Sequence, residues 1–220
     1  MKTVILTICL AISSLLRADT LSDVRSALQS LKGQAPLSLR VERHTWDREN
    51  GKDRSEQETF GLEDGPKGLR RTDGKALPGG DLKAENLTRA HLNLLELLRN
   101  SSVIDEHPGL LDGKPVRKLC LSLLPEKDLK EPSSKVKFKK CSMELTLWIG
   151  PDHFPLAMDM HIEMEGRAML LMKFSTKVLD HRRYEKIKDR LVVLEVSSEG
   201  QFKGMGQDGA GREILRCAIQ

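Results

Sequence analysis

The residues able to do chemistry are scattered along this chain rather than gathered. Six histidines stand at 44, 91, 107, 153, 161 and 181. No two have the spacing that sets a pair of ligands on one helix face, and no CxxC accompanies them. His161-Ile162-Glu163 has the H-x-E of zinc deaminases but lacks the P-C-x-x-C that completes their site. The polar face of a strand accounts for His161 without a metal. Gly204-Met205-Gly206, with Gly209 and Gly211 behind it, has neither the G-x-G-x-x-G register nor a following helix. A phosphate cradle needs both, so a Gly-rich loop over 200–211 is expected instead. No G-x-S-x-G supplies a nucleophile elbow. Glu163 and Glu165 share one strand face and read as solvated carboxylates. Lys135, Lys137, Lys139 and Lys140 form a small basic patch, which keeps a sheet soluble or meets an anionic headgroup or partner. No enzyme, cofactor or metal is implied.

Methionine is the residue type left over. Of the 8 methionines, all except Met1 fall between 143 and 205. Thioether chains are flexible and polarisable, and they recur where one surface accommodates varied apolar partners. Their setting is the stretch Met143–Val178. Met143, Leu145, Leu147 and Ile149 alternate with polar neighbours up to a turn at Gly150–Pro155. Leu156, Met158, Met160, Ile162 and Met164 then alternate with Asp159, His161, Glu163 and Glu165. Successive strand side chains point to opposite faces, so each run has one apolar face and one polar face. A third run after Gly166 carries Ala168, Leu170, Met172, Phe174, Thr176 and Val178 on one side. This is the pattern of a three-stranded antiparallel meander.

Around it the chain reads in order. A helix is predicted over 19–31 from Leu21, Val24, Leu28 and Leu31. A strand follows with Leu37, Leu39 and Val41 in phase, then a hairpin at Asn50-Gly51 and a polar strand over 54–62. Residues 63–85 are rich in Gly, Asp, Lys and Pro and read as a loop with one short strand at 68–72. A second helix is predicted over 81–100, followed by extended chain to Leu111, a turn at Asp112-Gly113 and a strand over 116–124. A polar loop over 125–134 leads back to the meander. Residues 180–189 are charged and indeterminate. Strands at 191–197 and 213–219 finish the chain.

Lys2, an apolar run from Val4 to Leu16 and a small residue at Ala18 describe a secretory signal peptide over 1–18. The apolar run is shorter than the roughly 20 residues of a membrane span. A soluble exported protein is expected, with residues 19–220 as one domain. Taking Lys2 and Arg17 from the formal charge of +4 leaves +2, which gives no electrostatic case for nucleic acid. Export permits disulfides. Cys120 and Cys141 are the favoured pair among the three cysteines left, although alternation puts them on opposite faces; three buried free thiols are the alternative.

The signal peptide, the strand P-L-S-L-R-V-E-R-H at 36–44, L-D-G-K-P-V-R-K-L-C-L-S-L at 111–123 and E-L-T-L-W-I-G-P-D-H-F-P-L-A-M at 144–158 together resemble the periplasmic lipoprotein-sorting carriers (LolA and LolB type) and their related sigma-factor regulator. The resemblance implies an unclosed β-barrel with lid helices. Asp73-Gly74-Lys75 departs from the carriers' pattern, because Leu77-Pro78-Gly79-Gly80 follows it in place of a strand. Their lipid-handling arginine has no single counterpart, Arg40 and Arg43 being the nearest.

The expected fold is therefore α+β, a single curved antiparallel sheet forming a half-barrel with two or three helices at its concave side. Two helices cannot blanket so many strands, so part of the concave face is expected to stay open as an apolar groove; a packed core is the other reading of the same residues. The groove residues are Leu39, Val41, Met143, Leu145, Leu147, Met158, Met160, Ile162, Leu170 and Met172. The function that follows is non-enzymatic binding or carriage of acyl chains or another apolar ligand in the periplasm, by a monomer working with a membrane-associated partner protein. The alternative is a regulatory module that senses envelope stress by binding protein.

Overall fold

The computed structural model describes residues 20–77, 84–123, 136–168, 172–204 and 207–220. The expected leader at 1–18, the expected polar loop at 125–134 and the groove candidate Leu170 lie outside them. Helix α1 spans 20–29. The strands are β1 (Leu37–Glu49), β2 (Lys52–Gly65), β3 (Gly68–Arg71), β4 (Ser102–Leu111), β5 (Lys114–Ser122), β6 (Val136–Ile149), β7 (Pro155–Ala168), β8 (Met172–Ile187), β9 (Arg190–Gly204) and β10 (Gln207–Ile219). Helices α2 (Ala84–Thr88) and α3 (Ala90–Arg99) fall between β3 and β4. All ten strands form one antiparallel sheet in the order β3-β2-β1-β10-β9-β8-β7-β6-β5-β4. It is open, with β3 and β4 at its two edges. Local chemistry sets the hairpins: Asn50-Gly51 and Asp112-Gly113 all take positive φ, as two-residue hairpin turns require.

The helices lie on one face, here the inner face. Leu21, Val24, Leu28 and Leu31 from the α1 segment and Leu87, Ala90, Leu94 and Leu98 from α2 and α3 join one core with Leu39, Val41, Phe60, Leu62, Leu119, Leu121, Leu145, Leu147, Met158 and Leu215. Most strands run 13–16 residues, yet this core takes only one half of each. In β1 the buried residues stop at Val41, in β6 they start at Leu145, and in β8 they start at Asp180.

Several sequence expectations are corrected. The second helix is two, broken at Arg89, whose backbone leaves the helical region (φ −140, ψ 50) while its guanidinium reaches down to Asp64. Gly166 does not end a strand. β7 runs through it to Ala168, and β8 starts at Met172 and absorbs most of the charged stretch 180–189. The glycines of 200–211 sit largely in the β9 and β10 ladder rather than in a loop. Cys120, Cys141 and Cys217 are free. Cys120 lies opposite Thr146 and Cys141 opposite Met164, on opposite faces of the sheet, so the favoured disulfide cannot close.

One polar cluster fastens the helices to the sheet. Asp64 at the end of β2 is fully buried, and so is Arg190 at the start of β9, at 1% exposure. Arg190 Nη1 donates to Asp64 Oδ2 at 2.6 Å and its Nε donates to the Ala35 carbonyl at 2.6 Å. Asp64 also accepts from Thr88 Oγ1 at 2.9 Å and from both Nε and Nη2 of Arg89. Burial alone pushes the Asp64 carboxyl up, but the bonds from Arg89, Arg190 and Thr88 outweigh it and hold it below its usual range. Beside Arg190, Asp189 accepts the Gln34 and Ala35 N–H groups, and its carbonyl accepts from Gly33. One β8–β9 turn thus grips the α1–β1 linker, the end of β2 and the α2–α3 junction.

His91 is buried against this cluster, and its Nδ1 has no hydrogen-bond partner among the described residues. Burial first, then the charges of Arg190 and Arg89, hold its imidazole below 6.5, with Asp189 pulling weakly the other way. Two outcomes follow. Arg190→Leu strands the buried Asp64 charge and is expected to cost about 3–5 kcal/mol in urea unfolding; a loss no larger than that of an exposed arginine such as Arg40→Leu would contradict the role. Because the folded value of His91 is depressed, the unfolded chain takes up that proton first. Stability should therefore fall as pH drops from about 6.5 toward the folded value. His91→Leu should remove that part of the slope, as seen in unfolding midpoints across the window.

Candidate functional site

Beyond the helices the inner face continues, and its composition changes from strand to strand. Cross-strand partners share a face, so the registers can be followed row by row. One row runs Met143, Ile162, Val178, Gly200, Gly211, Asp47 and Arg54 across β6, β7, β8, β9, β10, β1 and β2. The next runs Cys141, Met164, Thr176, Phe202, Gly209, Glu49 and Lys52 along the same strands. Each row starts apolar, passes over glycine and ends in charge. Cys141, Met143, Ile162, Met164, Val178 and Phe202 are all half-buried, and among the described residues no helix covers them. A trough of about 440 Å³ lies where the rows change character, with Val178 and Phe202 on one wall and Asp47 and Arg54 on the other.

Its floor is unusual for a strand pair. Glycine weakens a strand and often marks a place where something approaches the backbone closely. A Cβ at Gly200 would meet no atom within 4 Å, and one at Gly209 only the Arg48 carbonyl oxygen at 3.6 Å. Gly200 and Gly209 leave room that no described side chain occupies, whereas a Cβ at Gly211 would come within 2.9 Å of Asp47 Oδ1. Gly166 is different. A Cβ there would come within 2.9 Å of the Phe174 ring, so its absence lets Phe138 and Phe174 meet edge to face with centroids 6.0 Å apart.

The expected groove residues divide into distinct groups. Leu39, Val41, Leu145, Leu147 and Met158 share the face but are sealed in the core under the helices. Met143 and Met160 are partly buried and pack against that core, and Ile162 continues outward from them. Met172 is exposed at the far end of β8. Cys141, Met164, Val178 and Phe202 were not among the candidates. Met164 had the right phase. Phe202 was hidden because its segment reads as a loop from its glycines. Of the two arginines singled out by sequence, Arg43 is tied to Glu213 at 2.6 Å, and exposed Arg40 faces Glu42 at 3.4 Å.

The opposite face bears the groups closest to catalytic form. His181 Nδ1 lies 2.5 Å from Asp159 Oδ1, and Ser197 is next in the same row. Ser197 makes no hydrogen bond to the imidazole among the described residues. The surrounding peptide N–H groups belong to the β7–β8–β9 ladder, which leaves no preorganised pair of donors for an oxyanion. Among the described residues no three His, Cys, Asp or Glu side chains converge as a metal site, and no helix is long and apolar enough to cross a membrane.

Because Cys141 borders the strip and Cys120 faces away, the thiols report on the two faces. Burial raises the Cys141 thiol and pushes Cys217 up to about 12. Cys217 should therefore resist a thiol reagent at neutral pH until urea unfolds the chain, and non-reducing peptide mapping should find Cys120 and Cys141 unlinked. A Cys120–Cys141 peptide would overturn the register.

No protein-family model matches the chain, and no curated protein does. Among solved structures it is similar to the crystal structure of a DUF1329 family protein from Desulfovibrio piger ATCC 29098, at 12% identity over 91% of this chain and 90% of that one, with a TM-score of 0.36. A likeness of that degree adds nothing to what the sheet itself shows about the site.

Proposed function

We propose that this chain is a non-enzymatic binding or carrier protein for an amphipathic ligand with an alkyl chain, held on the uncovered inner face of its sheet. The observation that carries the reading is the graded row from Met143 and Ile162 through Gly200 and Gly211 to Asp47 and Arg54. An alkyl chain laid over Met143, Met160, Ile162, Met164 and Val178 would cover half-exposed apolar surface contiguous with the core. Each buried CH₂ contributes roughly 0.8 kcal/mol, so roughly eight carbons would contribute about 6 kcal/mol before the cost of immobilisation. The polar end would then lie at the trough, beside Asp47, Glu49, Lys52 and Arg54, which stand as opposite charges across β1 and β2. Glu49, Lys52 and Arg54 form no ion pair or side-chain hydrogen bond among the described residues.

The stretches 111–123 and 144–158, which resemble the lipoprotein-sorting carriers, agree with this reading. The 144–158 stretch turns β6 into β7, whose far halves carry Met143, Met160, Ile162 and Met164 of the strip. The 111–123 stretch forms the β4–β5 turn and β5 beside them, with Leu119 and Leu121 in the core. Lipoprotein acyl chains are one ligand of this chemistry, and an exported, periplasmic setting suits it.

The test uses a fluorescent long-chain fatty acid and palmitate. Ile162→Asp, on the open strip, should weaken probe binding by roughly tenfold or more with the fold intact. Palmitate should slow alkylation of Cys141 and leave Cys120, on the other face, unchanged. Binding unaffected by Ile162→Asp, or equal protection of both thiols, would sink the proposal.

A further inference from the structure

Like charges placed directly opposite one another on a sheet repel, and a sequence keeps such an arrangement only against that cost. At the end of the sheet farthest from the helices, Lys137 stands opposite Arg167 and Arg167 stands opposite Lys173, three cations in one row across β6, β7 and β8. All three are exposed. Among the described residues, none of their side chains forms an ion pair or hydrogen bond. Lys139, the extra residue of a bulge between Phe138 and Lys140, adds to the same end, as does exposed Lys203 at the close of β9. The acidic groups nearby face other cations or line a hollow beside the row. Glu163 is held by Lys140 at 2.7 Å, Glu165 lies opposite Lys140, and Asp208 lies opposite Lys203. None stands in the Lys137–Arg167–Lys173 row.

Apolar side chains are exposed at this same end. Phe138 is 40% exposed and Met172 is 38% exposed. The hollow there, of about 500 Å³, is lined by Lys139, Arg167, Lys173, Lys203, Phe174 and one carboxylate, Glu165. The cation row is on the outer face and Phe138 and Met172 are on the inner face, but both meet at this end of the sheet. An end-on contact of that make-up matches an interface where phosphates meet hydrocarbon, since basic side chains attract anionic headgroups and large apolar groups settle between them. A nucleic-acid surface would use aromatic faces free for stacking, whereas Phe138 and Phe174 are turned edge to face on each other.

We infer that this end of the sheet docks on an anionic phospholipid bilayer, with Lys137, Arg167 and Lys173 at the headgroups and Phe138 and Met172 entering the interface. Docking there sets the outer end of the apolar strip, at Met164 and Phe174, against the lipid surface. The contact does not require a ligand in the strip.

Flotation with vesicles of phosphatidylcholine alone, and of phosphatidylcholine with phosphatidylglycerol, tests it on the full mature chain. Wild type should bind the phosphatidylglycerol vesicles alone and release as salt rises. Neutralising Lys137, Arg167 and Lys173 to Gln should weaken partitioning roughly a hundredfold, at roughly fivefold for each cation near the surface. Neutralising Lys32, Lys67 and Lys114, exposed elsewhere, changes net charge equally and should have little effect. Urea midpoints confirm that both variants fold. Ile162→Asp should bind vesicles as wild type does. The inference is overturned if wild type ignores phosphatidylglycerol vesicles or binds both kinds equally. Equal loss in the two triple variants overturns it as well, and so does loss in Ile162→Asp, which would assign the binding to the strip.

Discussion

The buried pair of Asp64 and Arg190 is the constraint on which the rest of the arrangement depends. Two charges removed from water are tolerable only when nearly every hydrogen-bonding position around them is filled. Here Thr88, Arg89 and the Ala35 carbonyl help to fill them. Those partners come from two parts of the chain, the α2–α3 junction and the α1–β1 linker, so satisfying one carboxylate and one guanidinium also fixes where the helices sit. They are held over the strand ends that carry Leu39, Leu62, Leu147 and Leu191, and they stop there.

That placement divides the sheet. One half of each long strand is given to folding, with leucines and valines in close packing. The other half keeps the same alternation with no helix over it among the described residues, and its inner side chains are half-exposed rather than sealed. A sheet whose apolar face were needed only for stability would be expected to bury it completely. The glycine floor across β9 and β10 points the same way, since Gly200 and Gly209 leave space that no described side chain enters. On either side of that floor the chemistry differs, thioether and aliphatic toward β6 and charged toward β2. An amphiphile would meet a suitable surface at each of its ends.

Much of this was legible in the sequence because strand alternation is a local signal. The phase of Met143, Met158, Met160, Ile162 and Met164 placed them all on one face, and the registers agree. Alternation also set Cys120 and Cys141 on opposite faces, which the structure upholds over the simpler idea of pairing them. What alternation could not show was how far the helices reach, so Leu39, Val41, Leu145, Leu147 and Met158 were grouped with residues that lie beyond the lid. That boundary depends on Arg190 meeting Asp64, 126 positions apart, and no local pattern encodes it. Glycine misled in both directions. Gly166 looked like a strand end but makes room for two rings, and the glycines of 200–211 looked like a loop but line a ladder. Arg89 falls inside the single helix predicted over 81–100, yet it breaks that helix and donates to Asp64.

The central claim is that the inner face has a sealed half and an open half, and that an alkyl chain enters the open one. Methionine methyl resonances report on both at once, because Met158 lies in the first and Met143, Met160 and Met164 in the second. In protein carrying labelled methionine methyl groups, titration with palmitate is expected to move the Met143, Met160 and Met164 signals in step with saturation and to leave Met158 nearly still. Spectra in which none of the three moves, or in which Met158 moves most, would contradict it.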